Sequence, residues 1–414
     1  MIKTIDVDQL KPGMFIERLD RSWFTTPFFR HRFLLKDDEE ITLLKRNGVR
    51  RVVIDLEKGQ DVDEPLVLPS EQAPVPKPTI SSEPVSSAPP EKEVTRRLSR
   101  EEIKVAQHVH AEAMSTVQSV LEGFNGAARP NGSALLGLAS QMQKFLQTHR
   151  SGMITAMLLR QMREYDETLF SHVVDVGLLS MIVGIDQKLS STTLEHLAVG
   201  AMLHDIGELR LPRNVFRTTG TGDERERTLK HQHPAIGLTM LSRMDEISDE
   251  ARRIVVEHHE RIDGSGYPAK LQRSSIASLS QLVSLIDAYV TLITSRGGRP
   301  AISPPQAIRH LYQLALRLQF DQTLVEQMIH SLGVYPIGSF VELNTGEQAL
   351  VVDVHTGVTV KPWVKLLSDT HGQLLTEPFV LDLADPNCAI PPREIIRDLN
   401  GGMDRLDIAK YLEN

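Results

Sequence analysis

A mainly α protein, with a small α+β unit ahead of a helical bundle and a short β-meander behind it, is what three features of this 414-residue sequence predict. Apolar residues recur at helical spacing from about 99 to 335. Ahead of that, residues 59–98 hold prolines at 65, 69, 74, 76, 78, 84, 89 and 90 among Ser, Glu and Val. Such a stretch lacks backbone donors and has little apolar surface to pack, so it is expected to be a linker. Beyond about 336 the apolar period shortens to two. The expected division is a 1–58 α+β accessory unit, a 59–98 linker, a 99–335 helical domain and a 336–414 meander with a tail.

In the first unit, Lys11-Pro12-Gly13 is a turn between extended runs at Ile2–Val7 and Met14–Arg18. Asp38–Arg46 has helical character and stops at Asn47-Gly48, and Arg51–Leu56 is strand-like. The phenylalanines at 24, 28, 29 and 33 suit a core or docking face, and the isolated His31 suits packing or surface.

Ser99-x-x-Glu102 starts a helix to about Glu122, and a second runs near 133–149 after a Gly/Pro/Asn break. Met153–Asp186 continues the helical spacing. Thr192-x-x-Glu195 is expected to cap a helix running to Asp205 and ending at Gly207. Ser248–Glu260, Ser278–Ser295, Pro304–Gln319 and Asp321–Leu332 complete the bundle. Strands are expected at Ser339–Leu343, Ala349–Val354 and Trp363–Leu367, with a final loop and helix over Pro391–Asn414.

Composition excludes several classes. A net charge of -8 with no long basic block gives no reason to expect nucleic acid. One cysteine, Cys388, rules out an intramolecular disulfide and argues against a thiolate metal site, as a reducing cytoplasm would favour. No stretch approaches the roughly 20 apolar residues of a membrane span, and the N-terminus lacks an apolar signal core. A cytoplasmic location is expected.

Chemistry concentrates in His172, His204, Asp205, His233, His258, His259 and Asp287. Imidazole nitrogen and carboxylate oxygen are the donors that Fe, Mn or Zn accept. A lone helical histidine is more often a hydrogen-bonded core residue than a ligand. Asp287, however, lies in the apolar run Leu282–Tyr289, where an unpaired charge would be costly. Adjacent His258 and His259 point about 100° apart on a helix and can approach one cluster from two directions. In His204-Asp205 the carboxylate can bridge two metals while the imidazole binds one.

Taken in order, His204-Asp205-x-Gly207, His233-Pro234-x-x-Gly237, His258-His259-Glu260-x-x-Asp263-Gly264-x-Gly266-Tyr267-Pro268 and Asp287-Ala288-Tyr289 resemble the HD-GYP family, a branch of the HD metallophosphohydrolases. The resemblance covers about residues 150–335, and the long middle motif is highly specific. Residues 1–58 resemble the small domain often found ahead of HD-GYP domains in proteobacteria. The resemblance implies an HD-type helical bundle and a phosphodiesterase opening cyclic di-GMP, with pGpG or GMP as the product. It implies two divalent metals, Fe or Mn, held by the seven residues above, with His204 and Asp205 catalytic and Asp205 bridging. Tyr267, Arg296, Gly264 and Gly266 fall at substrate-binding positions, the glycines turning the loop so that Tyr267 faces the substrate. Asp263 is expected to fix that loop rather than bind metal. The N-terminal unit is open to a protein partner, and a homodimer stays open.

Four positions depart from the family pattern. Glu208 stands where a lysine is usual, and could bind a cation, pair with a base such as Arg210, or turn outward. Thr168 stands where some members carry a glutamate for a third metal, with Glu167 one step away, so two metals are expected. Val290 replaces a second aspartate, and Arg296-Gly297-Gly298-Arg299-Pro300 replaces an Arg-Pro-Tyr run. A weakly active or inactive protein that binds cyclic di-GMP as an adaptor is the alternative these changes leave. A different HD phosphohydrolase is disfavoured by the Asp263–Pro268 loop, which simpler members lack.

Overall fold

The computed structural model describes residues 2–19, 33–46, 49–60, 98–124, 130–163, 168–212, 224–295, 299–385, 392–399 and 405–413. The chain forms two compact units, Met1–Arg97 and Leu98–Asn414.

In the first unit, strands β1 (Ile2–Asp6), β2 (Phe15–Leu19), β3 (Phe33–Leu34) and β4 (Arg51–Asp55) make an antiparallel sheet in the order β1-β4-β2-β3. Alternation puts Ile5, Ile16, Val52 and Ile54 on the buried face, with Ile41 and Leu44 of α1 (Asp38–Arg46) in the same core. Truncating fully buried Leu44 to Ala would cost about 2–5 kcal/mol. The two-residue β3 is too short to leave a periodic signal. His31 and the phenylalanines at 24, 28 and 29 lie outside the described residues.

The second unit opens with α2 (Arg100–Gly123), where the side chains of Ser99 and Glu102 cap each other's backbone N–H groups. Helix α3 (Gly132–Arg163) does not stop near 149 but kinks there, His149 taking φ −124°. The helical spacing expected from Met153 to Asp186 divides between the end of α3 and α4 (Leu169–Asp186). Helix α4 is apolar on every side and sits at the centre of the bundle, as all-round hydrophobicity demands. It is the one described helix long and apolar enough by composition to cross a membrane, contrary to expectation, but it is mostly buried within the unit.

Helix α5 (Ser191–Leu203) is capped by Ser190, whose hydroxyl accepts from Thr193 N–H, so Thr192 is already helical and not the cap. The helix ends at Leu203, and a 3-10 turn over Ile206–Arg210 follows. Helices α6 (Glu224–Lys230), α7 (His233–Leu241) and α8 (Asp249–Glu257) come next, then α9 (Ser278–Ile293), α10 (Pro304–Leu316) and α11 (Gln322–Leu332). Helix α8 stops three residues short of the expected Glu260, because the chain turns at His258.

The meander is formed by β5 (Phe340–Leu343), β6 (Gln348–His355), β7 (Val358–Ser368) and β8 (Leu374–Asp382). A further strand, β9 (Ile395–Asp398), pairs with the free side of β5, giving the order β8-β7-β6-β5-β9. Helix α12 (Arg405–Glu413) closes the chain. Arg150 of α3 ties α4 and α11 together, donating to both Asp186 oxygens at 2.8 Å and to the Ser331 carbonyl at 2.7 Å. Cys388 lies outside the described residues.

Candidate metal centre

Five segments deliver the seven histidines and aspartates to one place. His172 is in the first turn of α4, His204 and Asp205 follow α5, and His233 opens α7. His258 and His259 follow α8, while Asp287 sits inside α9. Helix ends supply most of the set because there a side chain can turn across the axis without breaking the ladder. Gly207 is what lets α7 come close. A Cβ on it would lie 2.0 Å from the His233 carbonyl oxygen, so any larger residue would push His233 out of the cluster.

The ligand atoms of His172, His204 and Asp287 lie within 4.8 Å of one another, as do those of Asp205, His233, His258 and His259. Asp205 faces both groups. Its Oδ2 is 3.3 Å from His204 Nε2 and 3.8 Å from His172 Nε2, while its Oδ1 is 3.2 Å from His233 Nε2 and 3.5 Å from His258 Nε2. On the first side, Asp287 Oδ1 is 3.0 Å from His172 Nε2 and 3.9 Å from His204 Nε2.

Three imidazoles are oriented in the same way. Nδ1 of His204 lies 2.7 Å from the Ala201 carbonyl, that of His233 2.6 Å from Lys230, and that of His258 3.0 Å from Val255. A carbonyl can only accept, so each Nδ1 carries the proton and each Nε2 is turned inward with its lone pair available. In a dry core this makes good ligands and poor packing. His204 Nε2 is buried without a hydrogen-bond partner, and His233 Nε2 sits 3.2 Å from His258 Nε2. Inward nitrogens, two carboxylates and that orphaned atom fit divalent cations by donor chemistry.

The electrostatics agree. Burial opposes ionisation of Asp205 and Asp287, yet the surrounding imidazoles hold both well below the usual carboxylate range. Burial also disfavours charged His204 and His233, but Asp205 outweighs it and both are raised. Burial and the neighbouring rings push His258 down to about 4 and His259 well below its ordinary value. Ionised carboxylates beside imidazoles such as His258 and His259 that stay neutral are the anionic and neutral donors a cation would use.

The loop after His259 is held by a residue that the sequence did not single out. Glu260 is buried, and its two oxygens accept from Ala269 N–H at 2.7 Å and Leu271 N–H at 2.9 Å. It thus staples the far side of the loop to the end of α8. Asp263, expected to fix the loop, is exposed and ties only the local turn through Ser265 N–H at 2.9 Å. The buried Glu260 carboxylate does the larger part of that work. Arg261 stacks on Phe320 at 4.7 Å and donates to Ser284 Oγ at 2.6 Å. Gly266 is packed so tightly that a Cβ would be 2.4 Å from Arg261 N, and Gly264 has φ +80°. Both glycines shape the loop with their backbones.

That loop sets Tyr267 over the centre. Its ring is 4.6 Å from His259 and 6.3 Å from His233, and His231 stacks on it at 3.8 Å with a 12° tilt. Burial and the two aspartates push the phenol far above its ordinary value, so it is a neutral hydroxyl at neutral pH. The Glu208 charge is felt at both His233 and Tyr267. Arg210 donates to the Phe124 carbonyl at 2.9 Å. Thr168 caps α4, accepting from Ser171 N–H at 3.2 Å, and Val290 is buried. Arg296 and Glu167 lie outside the described residues.

Comparison with known proteins gives the class. Residues 141–324 match the HD domain, 340–390 the KOW domain associated with HD domain, and 2–128 a domain of unknown function, DUF3391. The 141–324 segment is thus similar to an HD domain, and divalent metal binding is what such a domain implies for the buried clusters. A Pseudomonas aeruginosa protein, cyclic di-GMP phosphodiesterase PA4108, is 26% identical over 385 residues, which is 92% of this chain and 89% of that protein. The Xanthomonas campestris cyclic di-GMP phosphodiesterase response regulator RpfG is 28% identical over 54% of each chain. A Thermotoga maritima cyclic di-GMP phosphodiesterase is 29% identical over 42% of this chain and 47% of its own. The chain thus spans about half the length of the latter two. Among solved structures, Bd1817 of Bdellovibrio bacteriovorus, an HD-GYP-like protein, aligns with a TM-score of 0.46 at 17% identity, over 79% of this chain and 98% of its own.

Proposed function

We propose that this chain is a metal-dependent phosphodiesterase that opens cyclic di-GMP to pGpG or GMP. The observation that carries the reading is Asp205, whose two oxygens face two separate sets of imidazoles. One carboxylate shared between two ligand sets is the arrangement a dinuclear site requires. His172, His204 and Asp287 would hold one cation, His233, His258 and His259 the other, and Asp205 both. Fe or Mn is the expected identity. Such cations supply Lewis acidity and an activated water at neutral pH.

The chain's own residues do the rest. The carbonyls of Ala201, Lys230 and Val255 hold three imidazoles in the ligating tautomer. Glu260 fixes the loop, and the neutral Tyr267 hydroxyl is available to donate to a phosphate or leaving-group oxygen. Arg296 would add a bidentate phosphate contact, with Gly264 and Gly266 shaping the loop beside the substrate. Residues 1–58 would act as an accessory unit for a protein partner, joined by the 59–98 linker to the 99–335 catalytic domain and the 336–414 meander. The single cysteine supports a cytoplasmic setting. Purified protein loaded with Mn or Fe should convert cyclic di-GMP to pGpG or GMP, and the double change His204→Ala with Asp205→Ala should abolish it. No product above that double mutant would overturn the reading.

Glu208 favours a second reading, a weakly active protein that binds cyclic di-GMP as an adaptor. Its carboxylate is close enough to act on His233 and Tyr267, and it would repel a phosphate there. Binding of cyclic di-GMP by metal-loaded protein without turnover would select that reading.

A further inference from the structure

The stack of His231 on Tyr267 belongs to no metal set, and His231 is no ligand. It lies between α6 and α7, its backbone N–H donating to the Arg227 carbonyl at 3.0 Å. Its ring lies 3.8 Å from that of Tyr267 and nearly parallel to it. That spacing leaves no gap for a third ring between the two. Yet His231 is exposed, so the ring presents its other face to solvent, one aromatic layer out from the centre. Exposed Arg227 of α6, which pairs with Glu224 at 3.6 Å, lies one turn ahead in the chain. A flat aromatic face at the rim of the proposed phosphoester-cleaving centre is what a nucleotide base would meet.

We infer that the outer face of His231 is a base-stacking platform that receives a purine of the substrate as the third layer of the Tyr267–His231 pile. The inference rests on the phosphodiesterase reading and assigns a substrate contact within it. Stacking tolerates any base but favours large ones, so His231 would select for purine dinucleotides by affinity rather than by hydrogen-bond pattern. It also gives Tyr267 a second role, as the rigid floor that keeps the His231 ring flat.

The test compares wild type, His231→Ala and His231→Phe, all metal-loaded. It measures the Kd for cyclic di-GMP by calorimetry and the kinetics on cyclic di-GMP and on methyl p-nitrophenyl phosphate, a diester without a purine. His231→Ala should weaken Kd and raise KM for cyclic di-GMP about tenfold, as expected for one lost base stack. The accompanying loss of kcat/KM on the purine-free diester should be at least about fivefold smaller. His231→Phe, which keeps a flat ring, should return Kd to within about threefold of wild type. Equal losses on the two diesters, an unchanged Kd in His231→Ala, or failure of His231→Phe to restore binding would each overturn the inference. Should wild type turn over neither diester, the phosphodiesterase reading fails, and the Kd comparison still decides the stack.

Discussion

His172 and Asp175 lie one turn apart on α4, and each enters a buried histidine–carboxylate cluster. Around Asp175 both carboxylate oxygens are satisfied within the protein. His110 Nε2 lies 2.8 Å from one carboxylate oxygen, and Arg160 Nη2 and Gln161 Nε2 donate to the other at 2.5 and 2.8 Å. Burial opposes the Asp175 charge, but Arg160 and His110 outweigh it and hold the carboxyl below its ordinary range. Among the described residues no arginine or lysine donates to Asp205 or Asp287; imidazoles compete for their oxygens, with the Thr291 hydroxyl donating to Asp287 at 3.3 Å. The same residue types, one turn apart, make a closed ion network in one case and a set of donors suited to cations in the other. Histidine next to aspartate is therefore no sign of a metal site by itself. What distinguishes the two is whether a fixed cation already satisfies the carboxylate.

That contrast can be broken experimentally. The largest effect is expected for Asp205→Ala, which removes the carboxylate common to both ligand sets. Turnover of cyclic di-GMP should fall by at least about a thousandfold, with loss of bound metal, while the fold persists by circular dichroism. Asp175→Ala should do the reverse. Removing one partner of a buried pair costs about 3–5 kcal/mol, read as a lower urea midpoint, while metal content in the folded fraction stays at the wild-type level. If Asp175→Ala empties the metal centre without lowering stability, the separation of the two clusters is wrong.

The same pair sharpens with pH. A carboxyl whose folded pKa is depressed contributes stability that is complete above its unfolded value, about 3.9, and is lost as pH falls through the folded value. The stability gap between wild type and Asp175→Ala should hold at neutral pH and narrow in acid. A gap that widens on acidification would contradict the ionised state of Asp175. A smaller change is expected from Glu208→Lys, which replaces repulsion of the substrate phosphate by attraction. KM for cyclic di-GMP should fall roughly tenfold. An unchanged KM would remove position 208 from the substrate site and weaken the adaptor reading with it. Smallest is Glu260→Gln, which keeps one acceptor for the loop N–H groups and should cost about 1–2 kcal/mol, with metal content unaltered.

Legibility followed the same division. The candidate metal ligands stood out because two histidines are adjacent, one precedes an aspartate, and Asp287 is a charge inside an apolar helix. Those are local anomalies that packing alone does not explain. His110 and Asp175 left no such mark. They are 65 residues apart, each an ordinary polar residue on a periodic helix, and only the fold brings them together. Glu260 was visible in the motif, but its role depends on where Ala269 and Leu271 place their N–H groups, which the spacing does not encode. Strand β8 was missed because Thr376, Glu377 and Pro378 interrupt its apolar pattern, and β9 because four residues carry no period. Ser190 rather than Thr192 caps α5 because the chain stays extended only through Ser190, and Thr192 already lies in the first turn.

The central claim is that Asp205 is shared between two cation sites, and elemental analysis of anaerobically purified, metal-replete protein tests it most directly. Wild type should carry two divalent cations per chain, and Asp205→Asn, which keeps the shape and removes the charge, should carry fewer than one. One cation or none in wild type, or two retained in Asp205→Asn, would contradict it.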